Sequence, residues 1–241
     1  MFKSQIPNII TLLNLISGSI SIVFALEGNL TVAAWLIGIA AVFDFFDGFA
    51  ARMLQVSSDI GKELDSLADV ISFGLAPGMI LYILLLTSAS CPEIVIAGRN
   101  LTPFIAFLIP AMSAYRLAKF NLDVRQSESF IGLPTPANAL MIASFPLILR
   151  QDGNLLGIDT GIFANVITNT LFLIPFILVF SYLLVAELPL MSLKFKTFSL
   201  SENKVRYSFL IISALLTILL FYTAIPLIIL IYIFISLVSR K

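Results

Sequence analysis

D-F-F-D-G-F-A-A-R at residues 44–52 and G-K-E-L-D-S-L-A-D at residues 61–69 decide how this chain is read. Together they set four aspartates, Asp44, Asp47, Asp65 and Asp69, into an otherwise apolar sequence. Of 241 residues, 59% are hydrophobic and 12% charged, and the mean hydropathy is +1.05. That composition excludes a soluble globular domain and places the chain in a bilayer. There an aspartate near the middle of a helix costs about 2.5–3.5 kcal/mol on insertion scales. Four of them between positions 44 and 69 need a compensating partner, and a bound divalent cation is the obvious one.

The spacing supports that reading. On a helix, Asp44 and Asp47 stand one turn apart, with Gly48 and Ala51 on much the same face. On the next helix Gly61, Asp65 and Asp69 follow at i, i+4 steps, about 6 Å apart along the axis. Two antiparallel helices joined by a short turn can thus aim all four carboxylates into one cavity. Hard oxygen donors favour Mg²⁺, with Mn²⁺ the alternative, and four carboxylates can hold a pair of ions. The chain has no histidine and one cysteine, Cys91. A zinc site of imidazole and thiolate is therefore excluded, as is an intrachain disulfide. Helix capping, or pairing with Arg52 and Lys62, would not need all four acids on inner faces.

With about 20 apolar residues per crossing, the hydropathy predicts an all-α, polytopic membrane bundle of about eight helices. They fall near 7–26, 31–54, 60–88, 100–119, 135–150, 162–186, 205–222 and 225–238. Only Thr223, Ala224 and Pro226 punctuate the last two, and one kinked segment is the alternative there. Lys3 and the apolar run after it have the outline of a signal peptide. Asn8, Thr11 and Asn14 interrupt that run and no A-x-A-like site follows, so it reads as a retained first helix. With no long linker, residues 1–241 read as a single membrane domain.

Fourteen Lys+Arg balance fourteen Asp+Glu, and a net charge of zero gives no sign of a nucleic-acid partner. The distribution of the cations says more. With eight crossings one side collects Lys3, Arg52, Lys62, Arg116, Lys119, Arg125, Lys194, Lys196, Lys204, Arg206, Arg240 and Lys241, and the other only Arg99 and Arg150. By the positive-inside rule the first side is cytoplasmic, and the aspartates open toward the cytosol of a cytoplasmic-membrane protein.

The pattern from Asp44 to Asp69 resembles the signature of the CDP-alcohol phosphotransferases, membrane enzymes that move a phosphoryl-alcohol group from a CDP carrier to a second alcohol. The resemblance implies that Asp44, Asp47 and Asp65 are metal ligands and Asp69 both ligand and general base. It also implies that Gly48 and Gly61 admit the nucleotide, with Ala51 beside them, and that Arg52 contacts phosphate. Ser58 in the turn and the Pro7, Asn8 and Thr11 set of I-P-N-I-I-T would lie against the CDP-diacylglycerol.

Three further segments resemble one branch of that family, the bacterial and archaeal phosphatidylserine synthases. They are V-I-S-F-G-L-A-P-G after Asp69, Y-R-L-A-K-F-N at 115–121 and F-I-G-L-P-T-P-A-N-A at 130–139. The resemblance covers roughly residues 5–145, the catalytic part, and leaves helices at 160–238 to hydropathy alone. It implies CDP-diacylglycerol and L-serine as substrates and a homodimer. Arg116, Lys119 and Asn121 then become candidates for the serine carboxylate or lipid phosphate, while Gly132, Pro134 and Pro136 shape the start of the fifth helix. Within the family the rival acceptors are glycerol 3-phosphate, an inositol phosphate and a second lipid. From a different class, buried acids also line the paths of cation transporters, although no inverted repeat is visible here.

Overall fold

The computed structural model describes residues 5–56, 58–88, 92–122, 130–151, 160–191, 199 and 203–238. Helix α1, Gln5–Leu26, is built inside out for a lipid solvent. Its buried face carries Pro7, Thr11, Asn14, Ser17, Gly18, Ser21 and Ala25, while Ile9, Ile16, Ile20 and Val23 point outward. Small and polar residues let helices approach closely where lipid offers no hydrophobic drive between them. Helix α2, Leu30–Leu54, returns along it, and the Ser21 hydroxyl donates to the Ala33 carbonyl at 2.8 Å.

Gln55 closes α2 in the left-handed conformation, and Ser58 opens α3, Asp59–Asp69, by accepting the Gly61 N–H at 3.0 Å. The rod then runs through a π-helical segment, Val70–Leu75, into α4, Ala76–Leu86. The V-I-S-F-G-L-A-P-G stretch is the packing hub of this rod. Ser72 donates to the Asn14 carbonyl of α1 at 3.0 Å. A Cβ at Gly74 would stand 3.3 Å from the Pro110 Cα of α5, and one at Gly78 would stand 2.9 Å from the Pro110 Cδ.

After the hairpin of β1, Val95–Ile96, and β2, Arg99–Asn100, a 3₁₀ turn leads into α5, Leu108–Leu122. Strand β3, Phe130–Ile131, precedes α6, Thr135–Leu149, and pairs antiparallel with β4, Pro189–Leu190. Between them Gly132 at φ +77° turns the chain so tightly that a Cβ would sit 2.6 Å from the Leu184 carbonyl oxygen. Helices α7, Thr160–Ile167, α8, Thr170–Val185, α9, Lys204–Leu220, and α10, Ala224–Val238, complete the bundle. One apolar core runs from Ala25 to Tyr232 through α2, α4, α6 and α8.

Each of the eight expected segments has a helical counterpart, with three corrections. The segment expected at 100–119 is helical over Thr102–Leu122 and begins as 3₁₀. The one expected at 162–186 is bent by 68° between α7 and α8, where the Asn169 side chain accepts the Leu171 N–H at 2.8 Å and restarts the helix. Among the described residues, length and composition qualify four stretches as spans, or five with the bent pair, so eight is an approximate count.

One of the four, Lys204–Val238, is not a single rod. Phe221 at φ +53° breaks it, and the rings of Phe209 and Tyr232 lie 5.9 Å apart. Along a straight helix they would be roughly 35 Å apart. The turn is held from α6: Gln151 donates to the Leu220 carbonyl and accepts the Tyr222 N–H. Of the residues considered from sequence, Lys3, Cys91, Arg125, Lys194, Lys196, Arg240 and Lys241 lie outside the described residues.

Candidate active site and metal centre

The turn at 55–58 brings the C-terminal end of α2 against the start of α3, both packed on the first turns of α1. One carboxylate oxygen from each of Asp44, Asp47 and Asp65 falls within 4.8 Å of the other two. Oxygens that share a divalent cation stand about 3–5 Å apart at the usual bond lengths, so the three fit one ion without rearrangement. Buried Asp65 Oδ1 and Asp69 Oδ1 have no hydrogen-bond partner, a costly condition that a cation relieves. Among the described residues none of the four aspartates forms an ion pair with Arg52 or Lys62; the ion pair found is Lys119 with Glu187.

Asp47 is 7% exposed and is held from α1. The Thr11 hydroxyl lies 2.7 Å from its Oδ2 and 3.0 Å from the Pro7 carbonyl oxygen. Asp69, one turn beyond Asp65, lies outside the group of three. It is equally buried and stands beside Asp44, Asn14 and Arg116. The acids therefore divide into a triplet, two of whose members line a pocket, and a fourth outside that group.

That pocket is an open cavity of about 210 Å³ between α1, α2 and α3. Pro7, Asn8, Thr11, Gly48, Ala51, Ser58 and Gly61 line it, together with Asp47, Val56, Lys62 and Asp65. Seven of the eight residues expected at a nucleotide site thus share one cavity. A Cβ at Gly48 would meet nothing closer than Arg52 Nη1 at 4.0 Å, so this wall is open. At Gly61 a Cβ would press on Asn8 Oδ1 and Ser58 Oγ at 3.0 Å, so glycine there lets α1 close on α3. Arg52, the eighth, is exposed on the rim.

The three acceptor-side candidates are separated. Arg116 is buried on α5 and feels Asp69 and Tyr232. Lys119 pairs with Glu187 at 3.0 Å. Asn121 clamps α5 to α3, its amide donating to Ser66 Oγ at 2.9 Å and its carbonyl accepting Lys62 Nζ at 3.3 Å. Sequence reasoning missed Val56, Lys62 and Asn14 at the site. The signal for Asn14 was there, since Asn8, Thr11 and Asn14 repeat every third residue along one side of α1.

A helical membrane protein with three clustered carboxylates beside an open cavity offers a group able to hold a divalent cation. The chain belongs to the CDP-alcohol phosphatidyltransferase family, whose model matches residues 4–239. It is 33% identical over 192 residues to the CDP-diacylglycerol–serine O-phosphatidyltransferase of Mycobacterium leprae, covering 77% of this chain and 57% of that one. Against the Bacillus subtilis protein of the same name it is 39% identical over 155 residues, 61% of this chain and 80% of that one. Against the archaetidylserine synthase of Methanothermobacter thermautotrophicus it is 37% identical over 145 residues, 59% of this chain and 58% of that one. The match thus spans little more than half the length of the mycobacterial and archaeal relatives.

Proposed function

We propose that this protein transfers the phosphatidyl group of CDP-diacylglycerol to the hydroxyl of L-serine, releasing CMP. The observation that carries the reading is the triplet of Asp44, Asp47 and Asp65, of which Asp47 and Asp65 line the cavity, with Asp69 one turn beyond Asp65. The names of the two bacterial relatives supply the donor and the acceptor.

Asp44, Asp47, Asp65 and Asp69 would hold Mg²⁺ or Mn²⁺, as a pair of ions, and Thr11 would keep the Asp47 carboxylate turned toward them. The bound ions would neutralise charge on the pyrophosphate and on departing CMP. Pro7, Asn8, Gly48, Ala51, Ser58 and Gly61 shape the wall for the cytidine nucleotide, and Arg52 on the rim would steady its phosphates. Asp69 takes the proton from the serine hydroxyl, whose oxygen bonds to the phosphorus bearing diacylglycerol while that phosphorus releases the CMP oxygen. A free hydroxyl is a weak nucleophile at neutral pH, so a positioned base is needed. Buried Arg116 would receive the serine carboxylate. Lys119 and Asn121 brace the same end of α5.

The same reading puts the protein in the cytoplasmic membrane as a homodimer, with its site facing the cytosol. Its test is an acceptor panel. Purified protein with CDP-diacylglycerol is offered L-serine, glycerol 3-phosphate and an inositol phosphate, with and without chelator. CMP should appear with serine alone and vanish with chelator. Release with another acceptor would reassign the enzyme within its family, and metal flux in liposomes without CMP would make it a transporter.

A further inference from the structure

Among the described residues, buried polar atoms of Asn14, Asp69, Ser113, Arg116, Thr135 and Asn138 lack hydrogen-bond partners. Asn14, Asp69 and Arg116 belong to groups already described, and Ser113 lies behind Gly74. Thr135 and Asn138 have no role yet. They lie one turn apart at the start of α6, 1% and 0% exposed, and neither the Thr135 hydroxyl nor either end of the Asn138 amide is bonded. Such groups are costly to bury without a partner.

Their place in the fold is informative. Helix α6 packs on the π segment that follows Asp69 and on α10. Pro134 and Ala137 share a cavity wall with Tyr232, and Tyr232 in turn interacts with Arg116. The first turn of α6 has no side-chain cap; Pro136 has no N–H and the Asn138 N–H donates to the Pro134 carbonyl at 3.0 Å, which leaves the N–H groups of Thr135 and Ala137 to favour an anion. Arg116 is 7% exposed and makes no hydrogen bond or ion pair with any described residue.

We propose that Thr135 and Asn138, with Arg116, form the recognition site for an amino-acid alcohol. Arg116 and the first-turn N–H groups of α6 take the acceptor's carboxylate, and the Asn138 carbonyl and Thr135 hydroxyl accept from its ammonium. The assignment rests on the serine reading above and adds the residues that select the acceptor. A phosphate-bearing alcohol would answer Arg116 but bring no ammonium for the Asn138 carbonyl to accept from.

The experiment measures CMP release by purified Thr135→Val, Thr135→Ser and Asn138→Leu, varying L-serine and CDP-diacylglycerol in turn. Thr135→Val and Asn138→Leu should raise the KM for serine about ten- to hundredfold. The KM for CDP-diacylglycerol should stay within about twofold, and Thr135→Ser should remain near the parent. Thermal stabilisation by CDP-diacylglycerol shows which variants are folded. If Asn138→Leu is not, the Val and Ser pair at position 135 decides the matter. A serine KM unchanged in folded variants, or both KM values moving together, overturns the assignment. If the parent protein uses another acceptor and not serine, the substrate reading itself fails, a result distinct from either.

Discussion

Thr11 has one hydroxyl proton and two acceptors within reach, the Pro7 carbonyl and Asp47 Oδ2. A threonine in a helix commonly turns back on its own backbone. Here the shorter distance, 2.7 Å, is to the carboxylate, and a charged acceptor makes the stronger bond. Thr11 therefore orients the carboxylate of Asp47, the proposed metal ligand, in addition to lining the cavity, a role that the sequence does not disclose because α1 and α2 meet only in the folded bundle. Thr11→Val keeps the shape and removes the proton. It should raise the metal concentration needed for half-maximal CMP release about ten- to hundredfold, the usual cost of losing support behind a ligand, with saturated activity largely retained. Asp69 should behave differently. If it is the base, Asp69→Asn lowers CMP release by about a hundredfold or more at saturating metal, and extra metal does not restore it. A metal titration of both variants separates support of a ligand from proton transfer.

Two glycines show how elements, rather than single side chains, divide stability from access. A Cβ at Gly18 would come 2.6 Å from the Ser72 Cα, backbone against backbone, at the crossing where Ser72 also bonds α1. Gly18→Leu must push α1 off the π segment, an overpacking cost of about 1–3 kcal/mol or more. The expected result is a lower thermal midpoint in detergent, with donor and acceptor kinetics both degraded. Gly48 faces open space, so Gly48→Val should leave the midpoint nearly unchanged and raise the KM for CDP-diacylglycerol about tenfold by filling the cavity. The aspartates and the cavity glycines were legible in the sequence because charge and small size stand out against an apolar background. The π segment was not, since V-I-S-F-G-L has no feature that asks for an i to i+5 ladder. What imposes it is packing, with Ser72 drawn to α1 and Gly74 to α5. The bend at Asn169 and the β3–β4 pair escaped for the same reason. A cap that interrupts an apolar run and a ladder between residues near 130 and 190 leave no periodicity to detect.

At the scale of the whole molecule, eight helical segments place like ends together. The turn at Gly28, the β1–β2 hairpin, the end of α6 and the α9–α10 turn share the end away from the aspartates. Trp35 near the start of α2 meets Tyr222 of that last turn with ring centroids 6.1 Å apart, and Gln151 braces the same turn. The opposite end gathers the α2–α3 turn, the end of α5 clamped to α3 through Lys62 and Asn121, and the Lys119–Glu187 pair. Among the described cations Arg150 stands at the first end, beside the Gly28 turn, and Arg52 and Lys62 at the second. If the positive-inside rule governs that placement, the aspartate end faces the cytosol. In a Cys91→Ser background, a single cysteine placed by Arg99→Cys should react with a membrane-impermeant maleimide in intact cells, and one placed by Lys62→Cys only in inverted vesicles. Lys62→Cys should also be shielded by CDP-diacylglycerol with metal, because Lys62 lines the cavity, whereas Arg99→Cys should not respond. Reversed labelling would put the site outside, where inner-leaflet CDP-diacylglycerol and cytosolic serine could not reach it together, and would require a different substrate for the same carboxylates.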